Sequence, residues 1–251
     1  MKIAVITGAS SGIGREFARR ARDVFPQIEC IWLVARRRER LEQLRAELEV
    51  PAEVLPLDLC AAGDRAALEE KLAQEKPEVL LLVNSAGCGF LGDVADTDAA
   101  LLSRSIELNV RALTEVTRAV LPYVPDGGRI VNLSSIASFC PTPRMSVYSA
   151  TKSYVSAFSL GLREELRPRK INVTAVCPGP MKTEFLDVGG ITGKSTMFQK
   201  LPQCGPEKTA LAALRAARRG RCVWTPKVFF KFYRVVAKVI PHILLVKFVK
   251  I

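Results

Sequence analysis

The chain has 251 residues, 49% of them hydrophobic and 7% aromatic, which fits one large domain able to bury a sizeable core. Its seven cysteines (30, 60, 88, 140, 177, 204 and 222) are scattered with no CxxC pair. That excludes a disulfide frame or a zinc site, so no metal is expected, and it reads as reduced thiols in a cytoplasmic compartment. The net charge is +12; eleven of the 37 Lys/Arg but only one of the 25 Asp/Glu lie from Gly205 onward, so this end carries +10. A near-neutral body with a strongly basic end calls for a partner.

In chain order, Lys2 to Thr7 is a short apolar strand that opens into Thr7-Gly8-Ala9-Ser10-Ser11-Gly12-Ile13-Gly14. A strand that runs into a glycine turn instead of a cleavage site is no secretory signal, so the protein is not expected to be secreted. A helical stretch through Phe17, Ala18 and Ala21 follows. Strand, glycine loop and helix form the context in which a dinucleotide fingerprint counts. The glycines let the backbone turn tightly and approach a pyrophosphate, whose charge then sits on the helix N-terminus. The second strand, Cys30 to Ala35, ends at Arg36-Arg37-Arg38. About twenty residues past the glycines, an NAD-specific site would place an acid there. Guanidinium groups instead bind a 2′-phosphate, so NADP(H) is expected in preference to NAD(H), with Arg36 ahead of Arg37 as its holder. The plainer reading makes Arg36 to Arg40 a charged helix surface, since Leu41, Leu44 and Leu48 continue at helical spacing.

A third strand, Glu53 to Asp58, ends in Asp58, placed for a base edge, and a helix over 66–72 follows. The run Val79 to Asn84 is apolar throughout, as a central parallel strand covered on both faces should be. It leads into Asn84-Ser85-Ala86-Gly87, a small-residue turn at a strand's C-terminal end, where ligands bind in open parallel sheets. A long helix is expected over 97–121. It carries Asn109, a surface residue or a site residue with equal claim.

The strand Arg129 to Leu133 delivers Ser134 and Ser135, and after Pro141 and Pro143 a helix runs from about Val147 to Arg167. Tyr148 and Lys152 are four apart and share one helix face. A phenol ionises near ~10, and an ammonium beside it lowers that value. Tyr148 thereby becomes a usable acid/base, with Ser135 able to hydrogen-bond a substrate oxygen. On its own the pair reads first as an ordinary Tyr and a solvated Lys, and other parts of the chain must overturn that. A strand at Ile171 to Cys177 leads to Pro178-Gly179-Pro180, and the Gly-rich stretch Leu186 to Gln203 reads as a lid. A helix (Pro206 to Arg218) and a strand (Cys222 to Thr225) complete the alternation. This argues an α/β fold, a Rossmann-like doubly wound parallel sheet of about seven strands. The glycosylation patterns at Asn132 and Asn172 lie on expected buried strands and read as coincidence.

Together these motifs resemble the short-chain dehydrogenase/reductase family over residues 2 to about 225. The resemblance rests on the glycine loop, Asn84-Ser-Ala-Gly87, Asn109, Ser135, Tyr148-Ser-Ala-Thr-Lys152 and Pro178-Gly179. It implies a catalytic acid/base at Tyr148, with Lys152 lowering its pKa and binding the nicotinamide ribose. Ser135 is implied to orient the substrate, ahead of its neighbour Ser134, and Asn109 to help hold a water in a proton relay. Cofactor contacts are implied at Gly8, Ser10, Ser11, Gly12, Ile13, Gly14, Asn84, Ala86, Gly87, Pro178, Gly179 and Thr183, and at Asp58 for adenine. The one departure is Ser85, where the family usually has a second Asn. The implied enzyme is an oxidoreductase of CH–OH and C=O groups, a homodimer or homotetramer.

The 226–251 extension lies outside those motifs. Lys227, Lys231, Arg234 and Lys238 recur at helical spacing as a basic stripe among Val228, Phe229, Phe232, Val235, Val236 and Val239. The uncharged run after Lys238 is far shorter than the ~20 residues a spanning helix needs. Such a helix can lie on a membrane interface; equally it can pack against the body or a sister subunit. Alternating aromatics and aliphatics argue against nucleic acid. With the lid, the tail suggests a hydrophobic carbonyl or alcohol such as a steroid, retinoid or lipid-derived ketone. A 3-oxoacyl-thioester reductase is the enzymatic alternative. A non-catalytic NADP(H)-binding or membrane-associated protein is the alternative of another class.

Overall fold

The computed structural model describes residues 1–192 and 200–249. Seven parallel strands form one sheet: β1 (Lys2–Thr7), β2 (Cys30–Val34), β3 (Ala52–Leu55), β4 (Glu78–Asn84), β5 (Arg129–Leu133), β6 (Asn172–Val176) and β7 (Val223–Trp224). The order β3-β2-β1-β4-β5-β6-β7 puts a topological switch point between β1 and β4. Ligands in open α/β sheets bind outside the strand ends at that point.

Successive side chains on a strand face opposite ways, so β1 feeds two cores. Ala4 and Ile6 pack with Phe17, Ala21, Leu41 and Leu214 beneath helices α1 (Gly12–Val24) and α2 (Arg38–Glu47) and a later helix, Pro206–Arg218. Ile3 and Val5 pack on the other face with Trp32, Leu68, Val116 and Leu162. That face is covered by α3 (Ala62–Glu75), α5 (Leu113–Val120) and α6 (Ser146–Glu165), with α4 (Ala99–Ile106) packed outside against α6. Each fully buried Ile or Leu contributes about 1.5–3 kcal/mol. Later in the chain, among the described residues, come α7 (Glu184–Val188), α8 (Pro206–Arg218), α9 (Val228–Val239) and α10 (His242–Leu245).

Three expectations shift. β3 stops at Leu55, short of Asp58, because Pro56 has no N–H for the ladder and Leu57 N turns back to Leu55 O at 2.9 Å. The long helix starts at Ala99, where Asp98 caps it by accepting from Ala100 N at 2.8 Å. It is also broken into α4 and α5 by a π-helical turn, Glu107–Ala112, that carries Asn109. Of the stretch expected as a lid, residues 193–199 lie outside the described residues; its start holds α7.

The outer part of the chain folds back over the strand ends. The Phe230 side chain of α9 is buried against Gly179, where an added Cβ would sit 2.3 Å from the ring.

Candidate active site

One cleft runs along the C-terminal ends of the strands, across the switch point. Gly8, Ser10, Ser11, Gly12, Ile13, Gly14, Arg36, Asp58, Ala86, Gly87, Ser135, Tyr148, Lys152, Pro178, Gly179 and Thr183 all line it. Asn84 and Asn109 do not.

At one end the backbone is a nucleotide cradle. Gly8 has φ +70°, and a Cβ there would meet Ala86 N at 2.7 Å; one on Gly14 would meet Gly8 O at 2.2 Å. Only glycine lets these segments close so tightly. Thr7, whose role the sequence did not single out, fixes the turn: its Oγ1 accepts from Ser85 N and Ala86 N, both at 3.1 Å. The α1 N-terminus behind Ser11 thus faces Thr183 across the cleft, presenting free N–H groups for a pyrophosphate.

The arginines are arranged differently from one another. Arg36 is exposed on the cleft wall. Arg37 donates from Nη2 to Ser10 Oγ at 3.1 Å and from Nη1 to Glu184 Oε2 at 2.9 Å. Arg40 pairs with the other oxygen of Glu184. Glu184 therefore bridges the glycine-loop side to α7. Asp58 pairs with Arg104 at 3.2 Å and accepts from Cys60 N at 3.1 Å. Burial pushes its carboxyl up, but these partners outweigh it and hold the group below the usual carboxylate range.

At the other end Ser135, Tyr148 and Lys152 come together. Ser135 caps a short 3-10 turn, accepting from Ala137 N at 3.1 Å, and its hydroxyl is near enough to the Tyr148 phenol to pull its pKa down. Ser134 faces away from this role; its Oγ donates to Lys152 O at 2.9 Å. Lys152 Nζ donates to Leu133 O at 2.8 Å and lies 5.7 Å from the Tyr148 ring centroid. Asn109, 1% exposed, is no surface residue. Its Oδ1 accepts from Cys88 N at 2.9 Å and its Nδ2 donates to Cys88 O at 2.7 Å, tying the π turn to the loop after Gly87. A Cβ on Gly87 would lie 3.0 Å from Asn109 Oδ1 and 3.3 Å from Lys152 Nζ, so the three converge. Asn84 instead crosses the sheet interior, donating to Asn132 Oδ1 and Thr117 Oγ1, both at 2.9 Å.

The electrostatics differ from the simple expectation. Burial pushes the Tyr148 phenol up to about 12, with the Ser135 hydroxyl pulling against it. The same burial pushes Lys152 down to about 8. The ammonium lies over the ring and on a carbonyl, so enclosure in protein dominates both groups. At neutral pH the phenol holds its proton and can give it.

Residues the motifs missed surround this tyrosine. Phe185 packs against it at a tilt of 49°, with centroids 5.4 Å apart. A Cβ on Gly89 would lie 2.4 Å from the ring, so only glycine leaves room. Phe229, Phe230 and Tyr233 of α9, with Met145, Leu186 and Leu201, make the cleft's wall apolar. Their only sequence signal was an amphipathic pattern, which says nothing of where the face docks.

The family model described as short chain dehydrogenase matches residues 2–188. Sulfoacetaldehyde reductase 2 of Chromohalobacter salexigens is 38% identical over 191 residues, 73% of this chain and 74% of that protein. A short-chain dehydrogenase from Sphingobium yanoikuyae in complex with NADPH superposes with TM-score 0.80 at 33% identity, covering 96% of this chain and 97% of that one. A 3-ketoacyl-(acyl-carrier-protein) reductase from Brucella melitensis complexed with NADH does so with TM-score 0.76 at 25% identity, covering 90% and 96%. With the sheet order, the glycine cradle and the Ser135–Tyr148–Lys152 set, these matches make the chain a member of the short chain dehydrogenase family, an oxidoreductase that uses a nicotinamide cofactor.

Proposed function

We propose that the protein is an NADP(H)-dependent reductase of apolar ketones or aldehydes, able to oxidise the matching alcohols. The observation that carries this is the meeting of Ser135, Tyr148 and Lys152 in one cleft whose open wall is Met145, Phe185, Leu186 and Phe229. The cofactor supplies the hydride. Gly8, Gly12 and Gly14 leave room for its pyrophosphate, and Ser10, Arg36 and Arg37 suit a 2′-phosphate. Ser135 hydrogen-bonds the substrate oxygen. Tyr148, protonated at neutral pH, donates its proton to that oxygen, and Lys152 keeps positive charge beside the phenolate left behind. In the oxidation direction the same groups take the proton back. Asn109 fixes the loop that carries Gly87 and Cys88, and so the floor under Lys152.

The basic C-terminal segment, with eleven Lys/Arg and one acid from Gly205 onward, favours a second reading, a 3-oxoacyl thioester on an acidic carrier. All seven cysteines are free, which suits a reducing compartment. A homodimer or homotetramer and a peripheral membrane contact through 226–251 complete the proposal.

The test is a fluorescence titration of NADPH and NADH on the wild type and on Arg36→Asp, followed by a carbonyl panel. Tighter NADPH binding, lost or reversed in the variant, is expected. Binding of neither nucleotide would refute the enzyme.

A further inference from the structure

Helix α9 has two apolar faces. Phe230 and Ala237 turn into the body, with Tyr233 and Arg234 half-buried between them. On the opposite side Val228, Phe232, Val235 and Val239 recur at i, i+4, i+7 and i+11, and all are exposed, Phe232 at 67% and Val239 at 76%. Beyond Pro241 the pattern goes on with Ile243, Leu244 and Phe248, the last 82% exposed. More than half of the exposed large apolar side chains among the described residues fall in this one segment. Lys227, Lys231 and Lys238 run alongside the stripe, each one position ahead of an apolar residue, and Lys247 extends the row. After Glu207 the sequence has no acid at all.

A contiguous apolar patch rimmed by one sign of charge marks a docking surface. Phe229 connects this surface to the site, since its ring is half exposed on the outside and also lines the cleft. Phe230, Tyr233 and Val249 line the same wall. We propose that the outer face of α9 and α10 docks on an anionic lipid surface, with the cleft mouth then opening in the lipid–water interface. The docking stands on the patch alone; the delivery of substrate from lipid rests on the apolar-carbonyl reading above.

The twelve residues of α9 span roughly 18 Å, so the helix lies in the interface plane. Among the described residues no helix is long and apolar enough to cross a membrane. Lysines beside the stripe can lay their stems along it and keep their ammonium groups at headgroup level. A second copy of the chain is the weaker occupant. It would bring the same Lys227, Lys231, Lys238 and Lys247 to the contact with no carboxylate in the segment to answer them. Anionic headgroups neutralise those charges, at about fivefold in affinity per lysine.

The test is sedimentation of the full chain with vesicles of phosphatidylcholine alone and of phosphatidylcholine with phosphatidylglycerol. Binding to the anionic vesicles is expected, at least tenfold weaker to the neutral ones and weakened by salt. Replacing both Lys231→Gln and Lys238→Gln should lower it by roughly 30-fold. Phe232→Glu should abolish it while leaving the NADPH titration unchanged, because Phe232 does not line the cleft. With vesicles present, the KM of a membrane-partitioning ketone should fall for the wild type and not for Phe232→Glu. No binding to anionic vesicles, or equal binding by the variants, would overturn the docking. So would a dimer in light scattering that Phe232→Glu splits while vesicles stay unbound. NADPH binding without vesicle binding defeats the docking alone; vesicle binding without NADPH binding supports the docking and defeats the enzyme reading.

Discussion

The two ends of the cleft are built on opposite principles. At the Tyr148 end, Lys152 and Asn109 are buried, every contact is to a neutral group, and the shifts come from burial. At the arginine end, Arg37, Arg40 and Glu184 are each about 40% exposed and held by ion pairs. Buried groups are costly to disturb because nothing replaces their partners. Exposed pairs contribute little and are screened by salt. On the proposed reading, the comparison teaches that the chemistry is fixed by packing, whereas cofactor choice rests on charges that small changes can retune.

The largest effect that follows is at Tyr148. Tyr148→Phe should keep NADPH binding and lose ~10²–10⁴-fold in kcat, measured by steady-state reduction of an apolar ketone. Full turnover would break the contrast at its strongest point. Next, Gly89→Ala should drive its methyl into the Tyr148 ring. A displacement near 1 Å can cost about 10²-fold, so kcat should fall with cofactor affinity unchanged.

Lys152 separates stability from activity. Its folded pKa of about 8 lies below the 10.5 of an unburied lysine, so at pH 7 the folded state carries a charge that burial disfavours. The unfolded chain binds more protons only between those values, so the penalty is full below pH 8 and is relieved as pH rises through that window. Lys152→Met should therefore be inactive yet more stable at pH 7, by about 1–3 kcal/mol in urea unfolding, with the gap closing above pH 10. A variant less stable at pH 7 would show that the bond to Leu133 O outweighs burial.

The smallest effect belongs to the exposed end. Glu184 occupies guanidinium groups that a 2′-phosphate would need, so Glu184→Gln should tighten binding of adenosine 2′,5′-bisphosphate a few-fold, and less so in high salt. Unchanged affinity would mean that Arg36 alone meets the phosphate.

Much of the sheet was legible because its strands are apolar runs ended by glycine or small-residue turns, as Val79 to Asn84 shows. The boundaries that moved have local causes, such as the missing N–H of Pro56. The residues that line the cleft were legible wherever one short motif carries both the residue and its position. Asn109 was ambiguous because a one-dimensional pattern cannot show a π turn rotating a side chain inward. Glu184, Gly89 and the α9 aromatics escaped because their meaning lies in contacts with residues far away in the chain. The Tyr148 shift escaped for another reason: spacing reveals that an ammonium is near, but not how much protein encloses both groups.

The π turn at Glu107–Ala112 also sets a phase. Each residue of an α-helix advances the chain by about 100°, so the turn's wider winding lets α4 and α5 face their neighbours out of ordinary register. Deleting one residue there would let the helix run on regularly, but only by swinging Val116 and Val120 off the core or Asn109 off Cys88. A lineage of this fold that shortened the helix would lose the site and part of its hydrophobic interior in one step, so that indel is a change selection cannot approach gradually.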